Sequence, residues 1–433
     1  MALKSKSEKP AIGIFHYSSP PNTSGVDVII RDQARFFRQY GYKVFIVAGV
    51  GRQFRKDIPV HIIKRMNPRH PFVFPLFEEL RKGIVSREFK QFERSLFNQI
   101  KNYIVKNDIK VCILHNLFTR PYNPALASAL ARLVQKMPEV KFISWVHDTV
   151  FYEEPNSVLG KELADVYPWK LFAKPIPGII YICVSHYLKG NLLKAFGENS
   201  GARIEVIPNG HDVEKFWGLS PVIRALYKDI DGLGSELIGV VPVRAIPRKN
   251  LELALNITKA MNDHGTDFKL LLTAKMDYKR QINMDYYKKL KQLVKDLKIK
   301  DKVFFLSEYF DKFSDEKTGV PDIAISELYT ISDLLLLTSK MEGFGLPLLE
   351  AGLMRCPIFA ADIPPLREIG TTNINYFNLE MSSSEIADFI LENIRRMPQA
   401  YFYRKIIKRY SLRGIFEKSV LPLVNESNAK TKE

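Results

Sequence analysis

The sequence predicts an α/β protein built from two doubly wound, parallel-sheet domains. Three observations carry this. Short aliphatic and β-branched runs alternate with longer amphipathic stretches along the chain, the pattern of a parallel sheet with helices on both faces. Several of those runs, such as VFIVAG and DLLLL, are apolar on nearly every residue, as strands covered on both faces are. The alternation pauses once and then restarts, in a chain whose 433 residues suit two cores of about 200 better than one.

In the first half, strands are expected at 11–17, 43–49, 60–65, 111–116, 141–148, 179–185 and 204–209. Apolar residues at helical spacing separate them at 27–40, 79–106 and 123–135. Polar turns and a Gly-Leu-Gly within 217–235 place a domain boundary near 212–235. Strands resume at 237–243, 268–274, 303–306, 333–339 and 357–361, with a helix at 251–261 after the first. The expected organisation is an amino-terminal domain over 1–212, a linker over 213–235 and a carboxyl-terminal domain over 236–396. Amphipathic helices over 397–425 and a disordered tail over 426–433 follow.

Lys and Arg outnumber Asp and Glu by 64 to 47, a net charge of +17. That balance suits an anionic partner (nucleotide, phosphorylated acceptor, anionic lipid or nucleic acid) or simply a soluble, lysine-rich surface. No zinc spacing, aromatic RNA-binding motif or compact basic helix accompanies the charge, which argues against nucleic acid. Cys112, Cys183 and Cys356 lie in or beside apolar runs and form no CxxC pair, so they read as reduced, buried thiols of a cytoplasmic protein. No apolar run approaches the roughly 18 residues that span a bilayer. The start, MALKSKSEKP, reads as a polar tail, and the AIGIF after it is too short for a signal peptide. Residues 81–106 mix apolar and basic side chains; a solvated basic face over a buried stripe is the favoured reading, with peripheral contact to anionic lipid at the inner membrane face as the alternative.

In open parallel sheets, ligands bind beyond the carboxyl ends of strands, so the loops after strands are where chemistry is sought. The stretch Glu342-Gly343-Phe344-Gly345-Leu346-Pro347-Leu348-Leu349-Glu350 follows the strand DLLLLTS. Its glycines let the backbone approach a ligand, Pro347 suits a first helical turn, and free amides at a helix start attract anions. Glu342 falls in the loop and Glu350 about one turn into the helix, placed to reach two ends of one extended ligand. After another apolar strand, Arg244, Arg248 and Lys249 cluster ahead of a helix, and such cations suit a diphosphate.

These residues resemble the retaining GT-B glycosyltransferases of family 4. The E-x7-E pattern from Glu342 to Glu350 and the Arg-x4-Lys pattern from Arg244 to Lys249 carry the resemblance. Ser24-Gly25-Val26-Asp27 and Ile207-Pro208-Asn209-Gly210 extend it into the first half. It implies two Rossmann-like domains facing across a cleft, with a carboxyl-terminal helix crossing back to the first. It implies an enzyme that moves a hexosyl group from a nucleoside diphosphate sugar, such as a UDP- or GDP-sugar, to a hydroxyl of a sugar, small-molecule or lipid-linked acceptor. Retention of configuration, no catalytic metal and no cofactor are implied with it. By position, Arg244 and Lys249 would hold the diphosphate, Glu342 the donor sugar and Glu350 the ribose. The amides of Gly343, Phe344 and Gly345 would line sugar and phosphate, and the base would lie near Ser307-Glu308-Tyr309-Phe310.

In the first half, Gly25 would let the backbone approach the donor phosphate, although the family usually has two adjacent glycines there and this chain has Ser24-Gly25. The plain alternative is Ser24 as a helix cap. His147, at a strand end where the family often carries a histidine, is the candidate near donor sugar and acceptor. Asp148 is either a base or the group that orients His147, and His16 and His115 are weaker candidates for the same wall. The aromatic- and proline-rich insertion at 152–176 is a candidate acceptor determinant. Rival readings are another enzyme of the same fold (a nucleotide-sugar epimerase or a sugar phosphorylase) and a basic nucleic-acid- or anion-binding protein.

Overall fold

The computed structural model describes residues 9–21, 24–149, 163–274, 280–313 and 320–426. It forms two compact units, Met1–Asn209 with Ile415–Glu433, and Gly210–Gly414.

The first unit holds strands β1 (Ala11–Ser18), β2 (Val44–Val50), β3 (Val60–Ile62), β4 (Ile109–His115), β5 (Lys141–Val146), β6 (Ile179–Cys183) and β7 (Ile204–Val206). Between them lie helices α1 (Gly25–Gln39), α2 (Val73–Arg81), α3 (Arg87–Lys106), α4 (Pro124–Lys136), α5 (Lys170–Ala173) and α6 (His186–Phe196). All pairings are parallel, in the order β3-β2-β1-β4-β5-β6-β7. The chain therefore moves outward from β1, then returns to lay β4 on the other side of it, making β1/β4 the switch point of a doubly wound sheet. Phe15, Val47, Leu114 and Phe142 of the sheet pack with Phe89, Leu96 and Ile100 of α3 in one core. The apolar stripe of α3 is spent on that core, leaving its basic residues on the outer face.

The second unit opens with α7 (Val213–Phe216) and α8 (Pro221–Asp229). It continues through β8 (Leu237–Val241), α9 (Leu251–Asp263), β9 (Phe268–Leu272), α10 (Gln281–Asp296), β10 (Val303–Phe305) and α11 (Leu306–Phe310). Then follow α12 (Asp322–Ile331), β11 (Leu334–Leu337), α13 (Leu346–Leu353), β12 (Ile358–Ala361), α14 (Pro364–Gly370), β13 (Asn375–Phe377), α15 (Ser383–Arg396), α16 (Pro398–Tyr410) and α17 (Leu412–Ile415). The parallel sheet runs β10-β9-β8-β11-β12-β13, with its switch point at β8/β11.

Four expectations need correction. The helix expected over 79–106 breaks at Gly83, whose φ of +77° favours glycine, and restarts where Ser86 caps Phe89 N. The strand expected over 60–65 is only three residues long before a 3₁₀ turn at Lys64–Met66. The segment read as a linker, 213–235, is largely helical, and buries Leu219, Ile223, Leu226, Tyr227 and Ile230 in the second unit's core. The stretch 397–425 is divided: α16 stays with the second unit, and the chain from Ile415 belongs to the first.

That return segment ends in α18 (Leu421–Asn425). The fully buried Phe416 packs against Phe37 and Phe36 of α1 at ring-centroid distances of 4.6 and 5.4 Å. The buried ammonium of Lys141 donates to Leu423 O at 2.7 Å and to Glu426 O at 2.5 Å, closing the end of α18 with a cation where the helix dipole favours one. Residues 427–433 of the expected tail lie outside the described residues.

Candidate functional site

In the second unit, the two motif loops flank the switch point. The cation loop follows β8 and the Glu342 loop follows β11, so neighbouring strands bring together residues 93 apart in sequence. Lys249 Nζ lies 2.5 Å from Glu342 Oε1, and Ser339 Oγ donates to the same oxygen at 2.6 Å. Arg248 Nη1 reaches Glu342 Oε2 at 3.3 Å and Met341 O at 2.8 Å. Backbone ties fix the pair of loops: Lys340 N donates to Arg248 O at 2.9 Å, and Thr338 Oγ1 donates to Asn250 O at 2.9 Å. Burial alone would raise the Glu342 carboxyl, but hydrogen bonds from Lys249 and Ser339, with both cations nearby, hold it below the usual carboxylate range. The side chains of Lys249 and Glu342 are 10% and 8% exposed, so each is the other's main compensation for leaving water.

Gly345 starts α13. Its φ is +105°, and a Cβ there would come within 2.7 Å of Leu366 Cδ2, so both backbone and space demand glycine. Leu346 and Pro347 form the first turn; Pro347 has no N–H to donate, and Leu348 N donates to Gly345 O at 2.9 Å. Gly343, Phe344 and Leu346 are exposed at this helix start. One turn on, Glu350 Oε2 accepts from Tyr329 Oη at 2.9 Å, which fixes the carboxylate against α12. Burial, and then that bond to a carboxylate, push the Tyr329 phenol far up, so it stays a donor.

In the first unit, histidines converge at the carboxyl ends of β1, β4 and β5. His115 Nδ1 is 2.9 Å from His147 Nε2, and His115 Nε2 is 3.2 Å from Gln33 Oε1 of α1. His16 Nδ1 is 3.0 Å from His115 O. Asn116 Oδ1 accepts from His147 N at 2.8 Å, which pins the backbone beyond β5. Burial lowers all three imidazoles: His147 falls to about 4, with repulsion from His16 adding and the Asp148 carboxylate opposing, and His115 lies well below its ordinary value, with repulsion from His147 and His16 adding. All three are neutral at pH 7. Asp148 pairs with Arg120 Nε at 2.6 Å, and it is His115 that bonds the His147 ring.

Ser24 caps α1 by accepting from Asp27 N at 3.1 Å, and the Asp27 carboxylate accepts from Ser18 Oγ at 2.9 Å. A Cβ on Gly25 would meet nothing within 4 Å, so packing does not require this glycine, and its surroundings are open to a ligand.

The structure therefore brings Lys249, Glu342 and, one turn beyond, Glu350 into one region, and His147 with His115 and His16 into another. Arg244 is exposed on the shared loop, while Arg248 makes the contact to Glu342 that the Arg-x4-Lys spacing did not assign to it. Ser307–Phe310 is a helical turn rather than a loop, with Glu308 held by Tyr287 Oη at 2.5 Å and Lys291 Nζ at 2.8 Å. An Asp-x-Asp triplet, Asp229-Ile230-Asp231, occurs before β8 at the amino end of the sheet, where Asp229 accepts from Tyr309 Oη at 2.8 Å and Asp231 accepts from Gly234 N at 3.3 Å. Residues 152–162 of the candidate acceptor insertion lie outside the described residues; the part after them buries Trp169 and Phe172 in the core. Cys112, Cys183 and Cys356 are free and buried, and burial pushes the thiols of Cys183 and Cys356 up to about 12. Among the described residues, no helix is long and apolar enough to cross a membrane.

Two Rossmann-like units of this construction make the GT-B fold. Residues 234–392 match the family described as glycosyl transferases group 1. The mannosylglucosylglycerate synthase of Petrotoga mobilis is 24% identical over 378 residues, which are 82% of this chain and 82% of that enzyme. The O-antigen chain mannosyltransferase RfbU of Salmonella typhimurium is 33% identical over 127 residues, 29% of this chain and 32% of its own. Among solved structures, a glycosyltransferase from Rickettsia africae ESF-5 aligns with 98% of this chain and 100% of its own, at 19% identity and a TM-score of 0.38. The second unit thus carries a glycosyltransferase domain, and the chain is an enzyme of that class.

Proposed function

We propose that the chain is a retaining hexosyltransferase that moves a mannosyl group from a nucleoside diphosphate donor to a hydroxyl acceptor without a metal ion. The observation that carries this is the bracketing of the second unit's switch point by Lys249, Arg248 and Glu342 on two loops, with Glu350 on the helix that begins there. The mannosyl assignment is supported by the printed activities of the relatives above.

In this reading, Lys249, Arg248 and the exposed Arg244 supply positive charge for the leaving diphosphate. The amides of Gly343, Phe344 and Gly345 supply preorganised donors at the helix start. The Glu342 carboxylate accepts from Lys249 Nζ at 2.5 Å. Donor phosphate takes its place, and Glu342 turns to the sugar hydroxyls. Glu350, steadied by Tyr329, accepts from the ribose hydroxyls. Gly25 admits a phosphate oxygen at the start of α1, and His147 meets a hydroxyl of donor sugar or acceptor, with Asp148 beside it. The bond from the anomeric carbon to phosphate oxygen breaks as the bond to the acceptor oxygen forms on the same face, and the acceptor proton passes to the departing diphosphate.

The test is to incubate the purified chain with GDP-, UDP-, ADP- and dTDP-hexoses and a panel of hydroxyl acceptors, with and without EDTA, and to determine the anomeric configuration of the product by NMR. Retained configuration with full rate in EDTA is the expected result. An inverted product or EDTA-sensitive turnover overturns the corresponding part, and a glycosyl adduct trapped on Glu342 replaces the same-face route with a two-step one.

A further inference from the structure

We propose that Gln33 and His115 are positioning residues that fix the ring tautomer of His147, leaving its Nδ1 as a hydrogen-bond acceptor for a substrate hydroxyl. The substrate half of this inference rests on the function proposed above; the tautomer half does not.

With the amide oxygen of Gln33 facing His115, the chain of bonds has one consistent proton assignment. Gln33, 3% exposed on the inner face of α1, presents its amide oxygen to His115 Nε2 at 3.2 Å. A carbonyl oxygen only accepts, so the proton on His115 is at Nε2. His115 is fully buried and neutral, and a neutral imidazole carries one N–H, so its Nδ1 is bare. Nδ1 lies 2.9 Å from His147 Nε2, and the proton in that bond must come from His147. His147 is neutral as well, so its single proton is committed inward and its Nδ1 holds a lone pair. His16 does not compete for the His115 ring, since its Nδ1 proton goes to the His115 carbonyl oxygen at 3.0 Å.

An amide oxygen on α1 is therefore read out two rings away, beyond the end of β5. This has a chemical consequence. A lone pair at the half-buried His147 ring receives an O–H and repels an oxyanion. The histidine wall thus selects a hydroxyl of the sugar or acceptor, while phosphate is left to the helix start at Gly25 and to the cations of the second unit. If Gln33 lost its acceptor, both rings could reverse together, and His147 would present an N–H in place of the lone pair that receives the substrate O–H.

The experiment is two-bond 1H–15N NMR of ring-labelled histidines in the full chain at neutral pH, followed by kinetics of Gln33→Leu and Gln33→Glu. The wild-type spectrum is expected to show His115 and His147 as Nε2–H tautomers and His16 as Nδ1–H. Gln33→Leu is expected to move His147 toward Nδ1–H and lower kcat/KM about tenfold, one neutral hydrogen bond's worth. Gln33→Glu, which keeps an accepting oxygen, is expected to restore both. A wild-type His147 in the Nδ1–H form overturns the assignment, and needs no variant to fold. A Gln33→Leu protein with the expected spectrum but unchanged kinetics overturns the positioning role. Absence of any glycosyl transfer by the wild type overturns the proposed function and the hydroxyl assignment with it, while the spectrum still decides the tautomer.

Discussion

At Lys249 and Glu342, stability and chemistry pull on the same pair. Removing either partner strands a nearly buried charge, a change that typically costs about 3–5 kcal/mol. Lys249→Ala retains Arg248 and Ser339 as partners of the carboxylate, so we expect the lower end of that range, together with a turnover loss of about 100- to 1000-fold. The double variant Lys249→Ala/Glu342→Ala should melt higher than either single variant while staying inactive. Urea titrations of all four proteins, run as a double-mutant cycle, check this, and additive losses would show that the pair is not coupled. Tyr329→Phe removes the donor to Glu350 and should weaken nucleoside diphosphate binding several-fold in calorimetry, with little effect on kcat. The histidines add a pH dependence. Their folded pKa values lie below the unfolded value of 6.5, so unfolding takes up protons as pH falls below that point. Stability is full above pH 6.5 and is lost progressively down to about 4 for His147, at about 1.4 kcal/mol per pH unit for each such ring. Urea midpoints at pH 7.5 and 5.0 measure it, and equal midpoints would contradict the neutral-ring assignment.

Among the elements, α13 and its approach show what local sequence encodes well. The apolar run before it, the glycines, Pro347 and the two carboxylates are all read within about 20 residues of chain. Gly345→Ala should cost about 1–3 kcal/mol by thermal melting, through its backbone conformation and the contact with Leu366, and should depress donor affinity by misplacing the first helical turn. What escaped sequence reading escaped for physical reasons. Gly83 ends a helix because of its left-handed backbone, while the apolar period runs on through it. Residues 213–235 carry turn residues and also Ile223, Leu226 and Tyr227 at helical spacing, and burial against the second sheet decides in favour of helix. Arg248 joins Glu342 only because β8 and β11 are neighbours. Gln33 and His115 are 82 residues apart, and nothing local marks either as a partner of His147.

At the scale of the molecule, alternation of strand and helix made two parallel sheets legible, while the pause at 217–235 placed the boundary too late, since the units divide between Asn209 and Gly210. The return of the chain was carried only by the analogy. Phe416→Ala should cost about 3–5 kcal/mol, since a fully buried phenyl is removed from the aromatic cluster on α1. The melting transition of the first unit should fall while nucleotide binding by the second is preserved, and differential scanning calorimetry with and without a nucleoside diphosphate tests both halves of that statement.

The return also sets a timetable. A ribosome delivers residues in order, and the first unit's last pieces, Phe416 and α18, arrive after all of the second unit. Until then the aromatic face of α1 and the ammonium of Lys141 wait without the partners that finish them. The second unit, whose residues are contiguous from Gly210 to Gly414, can mature first as an inserted segment. Nascent chains stalled just short of residue 415 should therefore be those in which the first unit is most exposed to proteases and chaperones.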